Sequence, residues 1–136
     1  MAMQWALAQG DTASARATIT SELGQRGGLL ARDDSPPDGV YLDARLLLAL
    51  GDTAAAERTL DTPLNSLARL HSYLLRYLPL AGSLVRMMAL RAEVADWRGD
   101  APTARRWAEA VLVLWSGAEP ALRPVVARMR QIAATR

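Results

Sequence analysis

Val94-Ala-Asp-Trp-Arg-Gly-Asp-Ala-Pro-Thr-Ala104 is one of three copies of a pattern whose reading decides the fold. The others are Trp5-Ala-Leu-Ala-Gln-Gly-Asp-Thr-Ala-Ser-Ala15 and Leu46-Leu-Leu-Ala-Leu-Gly-Asp-Thr-Ala-Ala-Ala56. Each has an apolar residue five before a glycine, then Gly-Asp, then alanine five after the glycine. Glycine just past a helix takes the left-handed conformation that other residues reach only with strain. The aspartate behind it offers a carboxylate to the unpaired N–H groups that open the next helix. Pro102 sits near the first helical position, where its missing donor costs nothing. Gly10-Asp11, Gly51-Asp52 and Gly99-Asp100 therefore predict three helix–turn–helix units. In each, Ala15, Ala56 or Ala104 lies where the second helix passes close to the first and a larger side chain would push the pair apart.

Working outward, the intervening segments fit helices of ordinary length. Residues at about 24–39 are rich in glycine, proline and aspartate and predict a loop, with Leu29 and Leu30 turned inward. Thr62-Pro63 predicts a new helix start, with Leu64, Leu67, His71, Leu74, Leu75 and Leu78 on one face. A break is predicted over Pro79 to Ser83, followed by a helix over Leu84 to Trp97 that is apolar around much of its circumference and so central. A closing helix at about 119–134 carries Leu122, Val125, Val126, Met129, Ile132 and Ala133 on one side and Arg123, Arg130 and Gln131 largely on the other. No stretch alternates as a strand would. The expectation is an all-α single domain over residues 1–136, with about eight helices stacked as antiparallel hairpins.

The Gly-Asp-x-x-x-Ala unit, at Gly10, Asp11, Ala15; Gly51, Asp52, Ala56; and Gly99, Asp100, Ala104, resembles the turn and second helix of tetratricopeptide repeats. Ile19 and Leu60, nine after their glycines, match the bulky apolar residue of that family, whereas Ala108 does not. Seven before the glycines, where the family prefers glycine or alanine, stand Met3, Ala44 and Ala92. The glycines lie 41 and 48 residues apart, against a regular period of about 34, and the proline that ends each second helix is absent. The resemblance implies a right-handed superhelix of helix pairs that binds peptides or proteins on its concave face. The lysine-free, alanine-rich texture also resembles helical tails that follow kinase or regulatory domains in high-GC bacteria. That implies a place in a larger regulatory chain, cytoplasmic, or extracytoplasmic if the parent is a membrane protein.

Composition narrows the chemistry. Hydrophobic residues make up 51% of the chain and charged residues 22%, enough for an ordinary core. All 16 basic residues are arginine, and there is no cysteine or phenylalanine. The missing lysine removes a phosphate-binding GK[ST] loop, a Schiff base and a lysine general base. The missing cysteine removes thiol nucleophiles, disulfides and sulfur-bound metals. The net charge is only +2. The pI of about 9.7 reflects arginine, which stays charged far above the pH at which lysine neutralises. No apolar run of about 18 residues and no signal-peptide pattern is present, so neither a membrane span nor a cofactor or metal site is expected.

Four groups of residues are candidates for function. His71, the single histidine, has acid–base potential near neutral pH, but its place on a leucine face points to packing. Asp33, Asp34 and Asp38 lack the ligand alternation of a calcium loop and read as a solvated turn. Glu93 and Asp96 read as ion-pair partners of Arg91, Arg98, Arg105 and Arg106 rather than as an acid–base pair. The fourth group concentrates arginine and tryptophan in the C-terminal third: Trp97, Arg98, Arg105, Arg106, Arg123, Arg128 and Arg130, with Trp107 and Trp115. Such mixtures suit protein interfaces and single-stranded nucleic acid, and equally suit a core with a solvated face. The resulting expectation is a non-catalytic interaction or scaffold module, not an enzyme, that binds a partner protein or peptide through Trp97, Arg98, Arg105, Arg106, Arg123 and Arg130. The alternatives are nucleic-acid binding through the C-terminal arginines and a small enzyme using His71.

Overall fold

Both glycine turns for which the flanking helices are described close in the same way. In a computed structural model that describes residues 9–30, 37–67, 76 and 78–135, with side chains outside 22–30 and 78–80, Gly10, Gly51 and Gly99 have φ of 75°, 77° and 77°. The Gly51 N–H donates to the Leu48 carbonyl and the Asp52 N–H to the Leu47 carbonyl, both at 2.9 Å. Gly99 and Asp100 repeat this pairing with Asp96 at 3.0 Å and Ala95 at 2.9 Å. These are the paired bonds of a Schellman closure, which satisfy carbonyls the helix leaves open.

The same aspartates then open the next helices. Oδ1 of Asp52 accepts from the Ala55 N–H at 3.0 Å and Oδ1 of Asp100 from the Thr103 N–H at 3.2 Å. Asp11 does the same for Ser14 at 3.0 Å. One residue thus ends one helix with its N–H and starts another with its carboxylate, so only three residues, 50–52 or 98–100, separate the paired helices.

The described residues contain six α-helices: α1 (Thr12–Leu30), α2 (Pro37–Ala49), α3 (Thr53–Asn65), α4 (Leu78–Trp97), α5 (Ala101–Leu114) and α6 (Arg123–Ala134). A 3-10 turn, Pro120–Leu122, leads into α6. There is no strand among the described residues, and the chain is all-α. Its contacts fall into two compact units, Met1–Leu74 and Leu75–Arg136, each taken by itself.

In the first unit α2 folds back on α3 across Gly51, and α1 packs on α2. Ala15, Ile19, Leu47, Leu50 and Ala56 form one buried cluster, with Val40, Ala44, Leu60 and Leu64 also buried along the hairpin. In the second unit α4 packs on α5 and less extensively on α6, and α5 packs on α6. Leu84, Val85, Met87, Met88, Leu90, Ala92, Val94 and Ala95 of α4 are all buried. The repeat alanines Ala15, Ala56 and Ala104 are buried, as are Ile19, Leu60 and Ala108 nine after each glycine and Ala44 and Ala92 seven before.

Several boundaries differ from the sequence expectation. The loop expected at about 24–39 is helical through Leu30 and again from Pro37; residues 31–36 lie outside the described residues. Glycines lower helix stability by about 1 kcal/mol each without forbidding it, and Pro37 sits at a first helical position, where proline is at home. Thr62-Pro63 does not start a helix but lies in the last turns of α3. Pro63 is buried on the same side as Leu60 and Ala56, and the Thr62 hydroxyl donates to the Arg58 carbonyl at 3.2 Å. Apolar burial at the end of a helix here outweighs the one backbone bond that proline removes. Gly82 and Ser83 lie inside α4 rather than breaking it. The remainder of the leucine face, with His71, lies outside the described residues.

A Cβ built on Gly51 or Gly99 meets nothing within 4 Å, so the cost of substitution is that of the backbone alone. Gly51→Ala and Gly99→Ala are each expected to lower stability by about 1–2 kcal/mol, and the asparagine variants by less, because asparagine visits the left-handed region more readily. Urea denaturation measures this. A loss below about 0.5 kcal/mol for both alanine variants would refute the dependence on positive φ.

Candidate binding surface

Arginine is the cation available to this fold, and the structure sorts its arginines by what they touch. Arg16 lies six residues after Gly10, just behind the buried Ala15. Its Nη2 donates to the carbonyl of Leu50 at the end of α2, and its Nη1 stands 3.9 Å from Oδ2 of Asp52. Arg105 holds the equivalent place after Gly99, and its Nη2 donates to the carbonyl of Thr135 at the end of α6. Both arginines therefore close the C-terminal end of a neighbouring helix, where open carbonyls and the negative end of the dipole favour a cation. The repeat pattern carried this signal at the sixth position after glycine, beside the alanine.

The expected partner residues are not one cluster. Trp97 is the last residue of α4 and is 58% exposed. Arg98 follows it, exposed and near enough to Asp100 to act on its charge. Arg105 is engaged with Thr135. The Arg106 guanidinium lies 4.9 Å from the Trp107 ring centroid, over a tryptophan that is itself in the core, a cation–π contact within the chain. Asp96 pairs with Arg128 of α6 at 2.7 Å and so ties α4 to α6. The ion-pair reading of Asp96 is supplied with its cation from a different helix than the sequence suggested.

Arg123 and Arg130 are placed differently. Both are exposed, and both line a surface hollow of about 330 Å³ with Trp115, Ser116, Ala118, Val126 and Ala127. Positions 123, 126, 127 and 130 fall at i, i+3, i+4 and i+7, one face of a helix. The stripe reads cation, apolar, apolar, cation. Trp115 caps α5, its N–H donating to the Val111 carbonyl at 2.8 Å, and forms one wall. Val113 and Leu114, 75% and 55% exposed, precede it at the same end of the unit.

Among the described residues no group of three histidine, cysteine, aspartate or glutamate side chains is placed to hold a metal ion. None of the described helices is long and apolar enough to cross a membrane. Comparison with protein-family models, curated proteins and solved structures finds no match to this chain.

The Asp100 and Asp11 carboxyl groups titrate below their ordinary range. Asp100 is held down by the hydrogen bond from the Thr103 side chain, then by the Thr103 N–H, with the charges of Arg91 and Arg98 adding to them. Asp11 is lowered in the same way by the Ser14 side chain and N–H. A folded-state pKa below the unfolded value stabilises the fold above the unfolded pKa, about 3.9 for aspartate, and that contribution is lost as pH falls through the folded pKa. The α4–α5 turn is therefore expected to weaken only below about pH 4. Asp100→Asn retains a capping side chain but has no proton to take up, so its acid unfolding profile should be shallower than that of the parent. Identical profiles by far-UV circular dichroism would exclude the Asp100 carboxylate as the titrating cap.

Proposed function

We propose that this chain is a non-catalytic protein-interaction or scaffold module, built of tetratricopeptide-like helical hairpins and working as part of a larger regulatory chain or assembly. The observation that carries this reading is the end of the second unit, where exposed Val113 and Leu114 run into Trp115 and a hollow flanked by Arg123 and Arg130. Aromatic, aliphatic and arginine side chains together are the composition of interface hot spots. The hairpins behind them close their own helix ends, and a surface held by rigid elements loses little conformational entropy on binding. Isolated exposed apolar residues are ordinary; an adjoining set beside two arginines supports a partner surface.

Capture from cells of the source organism, comparing the parent chain with Leu114→Glu and with Arg123→Glu, tests this. The expected result is a protein retained by the parent and lost with both variants, while their thermal melts stay within about 0.5 kcal/mol of the parent, as exposed positions allow. A chain that stays monomeric in the ultracentrifuge and retains nothing that these substitutions release would defeat the reading. Retention of nucleic acid, with an affinity falling by several log units per log unit of salt, would replace it.

A further inference from the structure

The closing helix α6 carries little of what lets a helix stand on its own. Its first turn has no side-chain cap and no acidic residue, its last turn has no basic one, and Arg123 puts a cation at the positive end of the dipole. A helix of 12 residues is marginal in water without packing. By contrast, α5 opens on the Asp100 cap and Pro102. What holds α6 is tertiary. Val126, Met129 and Ile132 are buried as α6 packs on α5 and α4. Two arginine bonds add to them: Arg128 of α6 to Asp96 of α4 at 2.7 Å, and Arg105 of α5 to the Thr135 carbonyl. The second supplies, from another helix, the cation that the end of α6 lacks.

The same contacts set the register of α5 against α6. Arg105 meets the end of α6 at Thr135, and Trp115 meets its beginning beside Arg123 and Val126, so the two helices run antiparallel. Positions 105, 108, 112 and 115 share one face of α5, which places Ala108 and Leu112 beneath α6. Between α5 and the 3-10 turn that leads into α6 stand Ser116 and Gly117, both exposed, where the chain is free to swing. Burial is unequal: α6 buries three apolar side chains, whereas α4 buries nine among its described residues. We propose that α6 is a latched strap that opens as one unit about Ser116 and Gly117, ahead of unfolding of the α4–α5 hairpin. Its latches are the Arg128–Asp96 and Arg105–Thr135 bonds. Closed, it brings Arg123 and Arg130 to Trp115. Open, it removes them and joins Leu112 and Trp115 to the exposed Val113 and Leu114. The strap thereby switches this end of the unit between a cationic hollow and a wider apolar surface. As regulation of a partner surface this rests on the binding-module reading; the opening itself does not.

Native-state hydrogen exchange of the full chain over a range of low urea concentrations tests this. Where closing outruns exchange, the rate reports the population of the open form. Amides from Val126 to Ile132 are expected to exchange about tenfold faster than those from Met87 to Val94. They should share one urea dependence, above zero because a packed face is exposed and below that of α4 because less surface is. Asp96→Asn, Arg128→Gln and Arg105→Ala are each expected to raise α6 exchange about threefold and leave α4 unchanged. Asp96→Asn combined with Arg128→Gln should add nothing to either alone, since both break one bond. Three results overturn the proposal: α6 exchanging in step with α4, no urea dependence in α6, which is fraying residue by residue, or α6 exchange indifferent to all three substitutions. Capture of a cellular partner decides the binding-module reading and leaves the strap untouched, so the two fail separately.

Discussion

Asp52 and Asp100 each serve two helices at once, and the packing of both hairpins follows from that economy. The backbone N–H completes the helix before the turn, and the carboxylate opens the helix after it. This works only if the preceding residue turns the chain through positive φ, which Gly51 and Gly99 do. A turn of three residues in turn leaves little slack. The second helix must run close along the first, and the residue one turn into it must be small. Ala56 and Ala104 meet that demand with nearly complete burial, whereas a larger side chain would cost about 1–3 kcal/mol in strain. The alanine-rich composition is thus a consequence of the turn chemistry.

A second layer of order comes from the arginine that follows the alanine. Arg16 and Arg105 occupy equivalent places and make equivalent bonds to the last carbonyls of another helix. In the middle copy the same place holds Glu57, an acceptor with no proton to give when ionised, so this bond belongs to the first and third copies. Correspondence of this kind, in side-chain function as well as in the Gly-Asp signature, supports treating the copies as units of one repeat.

What the sequence made legible is the local part of this. The three glycine turns, the aspartate caps, the small-residue positions and the amphipathic closing helix depend on residues a few positions apart, and pattern alone identifies them. Element boundaries were less legible where a breaker is offset by something non-local. Pro63 reads as a helix start until its burial beside Leu60 and Ala56 is known, and the glycines between 24 and 30 read as a loop although the helix continues through them. The binding candidates were legible as residue types but not as a site. Trp107 and Trp115 look equivalent in sequence, yet one is core and the other walls a hollow. Likewise Arg105 and Arg130 look interchangeable until the Thr135 carbonyl claims the first.

The absence of lysine then reads as geometry as well as composition. Arg16 addresses a carbonyl and a carboxylate with two different nitrogens, and Arg106 lies over an indole ring. A planar, weakly hydrated guanidinium does both, and a compact ammonium does neither as well. The same properties bear on Arg123 and Arg130, whose stems flank Val126 and Ala127. A guanidinium can rest its apolar stem along such a stripe while its edge forks to an acid. The cation that closes helix ends inside both units is thus also the one that α6 turns to solvent, at Arg123 and Arg130.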